Sequence, residues 1–179
     1  MASDFKNMIN KDFEETLYLD RLYLDRAKNE LDLANSIFKI SENINLKRNL
    51  ELKDNTTFYS NVIAVSYYCI FYSAKAILLK HKIKTDAPEE HKKTLDEFEK
   101  LVKKGILDKE LFKIYKDISI KANDLLGIFI IEKSKRGKFT YKKLPQANKE
   151  PAIQSLKNAE KFYKSINLIL KNNENNKHN

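Results

Sequence analysis

Between Val62 and Leu79 the chain reads VIAVSYYCIFYSAKAILL, with Lys75 its single charge. Apolar or aromatic residues fall at 64, 67, 68, 71, 74, 78 and 79, three and four apart, and Ile63, Ile70 and Ile77 fill the opposite side. That spacing predicts a helix. A helix apolar nearly all round is buried either among other helices or in lipid. The uncharged run from Phe58 to Ala74 falls short of the roughly 20 residues a membrane span needs. Its tyrosines also crowd the middle rather than the ends, where a span would carry them. The stretch is therefore expected to be the central helix of a protein core, with Tyr68 and Phe71 buried in it and no membrane to cross.

What surrounds that helix follows from length and composition. A chain of 179 residues with 42% hydrophobic content supports one core and is short for two. Three glycines and three prolines leave little material for the turns of a sandwich or barrel. The expected fold class is all-α, an up-and-down helical bundle of about five helices forming a single domain over residues 1–170. The polar end KNNENNKHN, residues 171–179, has nothing to bury and is expected to be a disordered tail.

Along the chain, residues 12–43 form a long amphipathic segment. Leu17, Leu24, Leu31 and Phe38 recur every seven residues with Ala27 and Ala34 between them, and Leu19, Leu22, Leu33 and Ile37 make a second stripe. A double stripe fits a helix packed against two neighbours. A coiled coil is the alternative, with Asp20 interrupting its seam. Ser41 to Asn55 is polar and reads as a mobile connection with one frayed turn at Leu46 to Leu52. The core helix then spans Thr57 to His81. Asp86 and Glu89 have the spacing of a capping box and Pro88 suits a first turn, so a third helix is expected from Ala87, ending at Gly105. Its inner face is 91, 94, 95, 98, 101 and 102. A fourth helix is expected over 108–132, with 111, 114, 115, 118, 122, 125 and 129 on one face and LLGIFII at its end. A fifth begins near Pro151 and carries Ala152, Leu156, Ala159, Phe162, Tyr163, Ile166 and Leu170.

The net charge of +9 is unevenly spread. Residues 1–34 hold eight acids and five bases, whereas 133–149 hold seven bases and no acid. Such polarity suits a polyanionic partner, and nucleic acid is the commonest. The competing reading is simple solvation, because most of the bases are lysines. Within the basic stretch, Lys133, Lys135, Arg136, Lys138, Lys142 and Lys143 interleave with Phe139 and Tyr141. Cations at that spacing suit phosphates, and a ring suits a stacked base. Cys69 stands alone, which rules out a disulfide framework or thiolate zinc site, and it is expected to be an inert core residue. No metal and no cofactor are expected. The N-terminus shows no charged segment followed by an apolar one, so a cytoplasmic location is expected.

The order of these features resembles the HEPN domains (higher eukaryotes and prokaryotes nucleotide-binding), particularly the stand-alone prokaryotic group. A first helix of the form YLxxAxxxLxxA is matched by Tyr23, Leu24, Ala27, Leu31 and Ala34. The family's SRAYYAMFxAAKALL helix is matched by Ala64 to Leu79, with Val65 in place of its arginine. His91 and Phe98 match THxxxxxxF, and Lys104-Gly105-Ile106-Leu107 matches a KxGxL turn. The resemblance covers Tyr23 to Tyr141.

The resemblance implies a helical bundle that dimerises. It also implies membership of a group in which many proteins are metal-independent endoribonucleases, often toxins or defence nucleases. Their motif is an arginine followed four to six residues later by histidine. Here Arg136 is the arginine in the right region, but Tyr141 stands where the histidine of R-x4-H would be. A phenol titrating near 10 is a poor base at neutral pH. The expectation is RNA or nucleotide binding through the Arg136 loop without the usual cleavage. Two alternatives stand beside it. One is a homodimeric interaction module partnering a minimal nucleotidyltransferase in a toxin-antitoxin system. The other is a divergent ribonuclease drawing on Arg136, Tyr141 or His91, although His91 also suits a plain hydrogen bond to a neighbouring helix.

Overall fold

The computed structural model describes the backbone of residues 2–126 and 148–175 and the side chains of residues 18–123 and 148–172. Among the described residues there are six helices and no strand: α1 (Ala2–Glu42), α2 (Ile44–Asn49), α3 (Tyr59–Lys80), α4 (Glu90–Lys103), α5 (Lys109–Leu126) and α6 (Lys149–Asn175). The chain is all-α, and its helices form a bundle around α3, which touches α1, α4, α5 and α6. α3 is long and apolar enough to cross a membrane, but 83% of its most apolar window is buried among the other helices. That burial removes the apolar surface from water without lipid.

α1 runs antiparallel to α3. The Tyr59 hydroxyl at the start of α3 bonds Glu42 at the end of α1, and the Tyr23 and Tyr72 rings meet 6.0 Å apart farther along. α6 runs beside α3 in the same direction, with Asn148 against Ser60 and Ala159 against Cys69. At the centre lie four rings from four helices: Tyr67 of α3, Phe98 of α4, Tyr115 of α5 and Phe162 of α6, each 0% exposed. Phe98 meets Tyr115 edge-on at 5.6 Å and Phe162 at 5.4 Å, the offset geometry that aromatic quadrupoles favour. The expected core positions on α5 and α6 are buried at 111, 114, 115, 118 and 122 and at 152, 156, 159, 162, 166 and 170. Positions 125 and 129, and the segment LLGIFII, lie outside the described side chains.

Several expectations are corrected. Phe71 is buried, but Tyr68 is only half-buried, and the fully enclosed member of the tyrosine pair is Tyr67. The polar stretch after Ser41, expected to be a loop with one turn, contains the helix α2. The Asn43 side chain caps α2 by accepting from the Asn45 and Leu46 N–H groups at 2.9 and 3.1 Å. Lys47 is buried with its ammonium on the Asp54 carbonyl at 3.0 Å, and the Ser41 hydroxyl accepts from the Phe58 N–H at 2.9 Å. The polar side chains here satisfy backbone groups rather than solvent. α1 starts ten residues before the expected position 12, at Ala2. α6 continues to Asn175, through residues expected to be a disordered tail from 171. A helix extends on its own backbone hydrogen bonds and needs no buried side chain to do so.

The third expected helix begins at Glu90 rather than Ala87. Glu89 sits in the left-handed region with φ 61° and makes no side-chain cap, so no capping box forms. The start is set by tertiary bonds instead, because Glu90 is held by Lys75 of α3. The other end follows expectation. Gly105 has φ +72°, its N–H reaches the Val102 carbonyl at 2.9 Å, and the Ile106 N–H reaches Leu101 at 3.0 Å. This is a Schellman ending. α2 and α3 end in the same pattern with Glu51 and Lys82 in the left-handed position, at φ 56° and 60°. His81 is the half-buried C-cap of α3, and burial with the nearby Lys80 lowers its pKa.

Candidate functional site

The segment that leads into α4 is pinned to α3 by one buried lysine. Lys75, 3% exposed, donates to the Thr85 carbonyl at 3.0 Å, pairs with the Glu90 carboxylate, and lies 4.6 Å from the centre of the Tyr23 ring. The Thr85 and Thr94 hydroxyls share a further bond of 2.8 Å. Burial pushes the ammonium's pKa down, but the bonds to Glu90 and Tyr23 outweigh it and hold it above its ordinary value. With Glu90 fixed, the next residue, His91, is turned onto α3.

There His91 Nδ1 lies 2.8 Å from the Tyr67 hydroxyl, and its ring rests 4.3 Å from that of Phe71. Tyr68 meets the same imidazole edge-on at 6.1 Å. Burial lowers the pKa of His91, Glu90 partly opposes that shift, and Lys75 adds to it. Burial also pushes the Tyr67 phenol far above its usual range. A neutral imidazole bonded to an un-ionised phenol suits holding α4 against α3. Of the two roles weighed for His91, the structure shows the interhelical hydrogen bond.

Lys133, Lys135, Arg136, Lys138, Phe139, Tyr141, Lys142 and Lys143 all lie outside the described residues. The described residues that follow them are firmly placed. Asn148 donates to Ser60 at 2.8 Å, and Lys149 donates to Glu42 at 2.6 Å. The bond from Lys149, then that from Tyr59, holds the Glu42 carboxyl below its ordinary pKa. Burial and Glu42 raise the Tyr59 phenol to about 12. Asn148 and Lys149 therefore sit at the end of the bundle where α1 stops and α3 starts.

A second group of residues was not singled out from the sequence. On α3, residues 61, 64, 65, 68 and 72 form the stripe that is not fully buried, between α1 and α4. Tyr68 and Tyr72 stack at 6.2 Å with 28° between their planes, and Tyr72 stacks on Tyr23 of α1 at 6.0 Å and 20°. The Arg26 guanidinium is 5.8 Å from the Tyr23 ring centre and 5.9 Å from that of Tyr72. Arg26 is exposed, and among the described residues no hydrogen bond or ion pair engages it. The sequence does carry the signal. Tyr68 and Tyr72 are four apart and Tyr23 and Arg26 three apart, spacings that place each pair on one helix face. What it lacks is the register that brings the two faces together.

Between α1 and α6 lies a cleft of about 330 Å³ whose lining includes Asp20, Arg21, Asp25, Asn167 and Lys171. Its acids and bases offset each other, so it has no bias toward a polyanion. Among the described residues, no three His, Cys, Asp or Glu side chains converge on a point that would hold a metal ion. No family model, curated protein or solved structure matches the chain.

Proposed function

We propose that the chain is a HEPN-like helical protein that binds RNA through the basic stretch around Arg136, without the metal-independent cleavage associated with that family. The observation that carries the reading is the charge between residues 133 and 149: seven bases, no acid, and Phe139 and Tyr141 interleaved with the cations. Lysines and an arginine neutralise phosphates and release counterions, while ring faces accept bases irrespective of sequence. His91 has a role that needs no catalysis: its Nδ1 is engaged by Tyr67 and its ring is packed on Phe71, which ties α4 to α3.

The test is incubation of the full chain with labelled single-stranded RNA and total tRNA in EDTA at two salt concentrations, scoring retardation and cleavage together. Salt-sensitive retardation without cleavage is expected. Replacing Arg136, Lys138 and Lys142 together by alanine should weaken it and flatten the salt dependence. Absence of retardation would end the RNA-binding reading. Cleavage abolished by Arg136→Ala would instead make the protein a ribonuclease.

A further inference from the structure

We infer that the open stripe of α3 is a platform for single-stranded RNA, on which a base stacks against Tyr68 and Tyr72 while Arg26 takes an adjoining phosphate. This proposal rests on the RNA-binding reading, but it concerns a separate set of residues, on α1 and α3.

Three features carry it. First, the tyrosines form a continuous row rather than a scatter. Tyr68, Tyr72 and Tyr23 follow one another at 6.2 and 6.0 Å with planes tilted by 28° and 20°, and all three are half-buried. Half-burial leaves ring surface to water, and successive side chains four apart on a helix repeat every ~6 Å. Stacking on such rings is tolerant of base identity, because every base has a π-face.

Second, among the described residues the Arg26 guanidinium makes no hydrogen bond or ion pair. It lies over two of the rings, and its planar fork of donors is open to solvent. That fork matches the oxygens of a phosphate, whereas an exposed arginine in a structural role would be expected to meet a carboxylate.

Third, one of the acids beside the platform is neutralised, while Glu30, one turn beyond Arg26 on α1, makes no ion pair with it. Glu90 is occupied by Lys75. Asp25 is exposed and is the nearest uncompensated acid in the sequence. The protein as a whole carries +9 and would draw a polyanion to it, although residues 1–34, which include Tyr23 and Arg26, hold eight acids against five bases.

The test compares binding of two fluorescein-labelled RNA strands of equal length, one ordinary and one with abasic sites, to the full chain and to Tyr72→Leu and Arg26→Gln variants. Tyr72→Leu keeps an apolar side chain at a half-buried position, and Arg26 is exposed, so both variants are expected to fold. Tyr72→Leu should weaken binding of the ordinary strand about tenfold and leave the abasic strand unchanged. Arg26→Gln should weaken both strands and reduce the slope of log affinity against log salt by about one. Equal loss on both strands for Tyr72→Leu, or no loss for either variant, would overturn the platform. If those variants bind normally while Arg136→Ala does not, the platform fails and the basic-stretch reading stands. If the wild-type chain binds neither strand, both fall together.

Discussion

The Tyr67 hydroxyl of α3 and Nδ1 of His91 in α4 lie 2.8 Å apart, and this contact joins the tyrosine at the centre of the core to the histidine at its edge. Tyr67 also reaches Tyr115 of α5 at 6.5 Å, so the ring links three helices. Burial lowers the His91 pKa, a commitment of the folded state toward the neutral imidazole.

That commitment has a pH signature. A histidine whose folded pKa is lowered contributes fully to stability above its unfolded value, near 6.5, and the contribution is lost as pH falls from there toward the folded value. Urea midpoints of the wild type should therefore drop between pH 8 and pH 5 by more than those of His91→Gln, whose amide can still bond Tyr67. His81 is also shifted down, but it is present in both proteins and cancels in the comparison. Equal drops would show that His91 titrates as an ordinary exposed histidine.

Adjacent tyrosines should respond very differently to truncation. Tyr67 is 0% exposed and meets rings of α4 and α5, so Tyr67→Ala should cost about 3–5 kcal/mol, enough to unfold many domains. Tyr68 is half-buried on the open stripe, and Tyr68→Ala should cost about 1 kcal/mol. Chemical denaturation of the two variants checks the order, and the reverse order would mean that α3 is rotated about its axis from the register described here.

Much of the bundle is legible in the sequence because each core helix declares itself by period. The buried positions of α5 and α6 recur three and four apart, and Gly105 marks the end of α4. The failures have a common physical origin. α2 ends on a left-handed residue that is Glu51 rather than glycine, so the usual punctuation is missing there, whereas the end of α3 is legible near His81 although Lys82 takes the same left-handed position. α4 starts where Lys75 grips Glu90, a tertiary bond invisible to local pattern. α2 itself is held by caps and by a buried Lys47, side chains that composition assigns to solvent. Among the site residues, His91 could be placed on a helix face from the sequence, but the meeting of Arg26 with Tyr72 depends on how α1 and α3 are registered. No periodicity supplies that.

Those two left-handed residues are strained in a way that glycine relieves. A side chain with φ near +60° brings its Cβ toward the following carbonyl oxygen. Glu51→Gly and Lys82→Gly should each stabilise the protein by about 0.5–1 kcal/mol, offset in part by the added freedom of the unfolded chain. Gly105→Ala should destabilise by about 1 kcal/mol. Nothing lies within 4 Å of where its Cβ would sit, so the cost is one of backbone conformation alone. Thermal or urea midpoints of the three variants test the set, and a stabilised Gly105→Ala would refute the assignment.

Lys75 offers the sharpest test of how α4 is held. Its ammonium is almost wholly removed from water, and its partners are one carboxylate, one carbonyl and a ring face. Attraction between the two charges offsets a large desolvation cost, so the intact pair contributes little in net terms, while removing one partner strands the other. Glu90→Ala should accordingly cost about 3 kcal/mol, because the buried ammonium loses its counter-charge. Lys75→Met should cost less, since Glu90 is a third exposed and can turn to solvent. Combining Lys75→Met with Glu90→Ala should recover much of the loss caused by Glu90→Ala alone, a coupling that a double-mutant cycle measures directly. Additive losses would mean that the two side chains act independently, and that the Thr85 and Thr94 hydroxyls, rather than the ion pair, fix the start of α4.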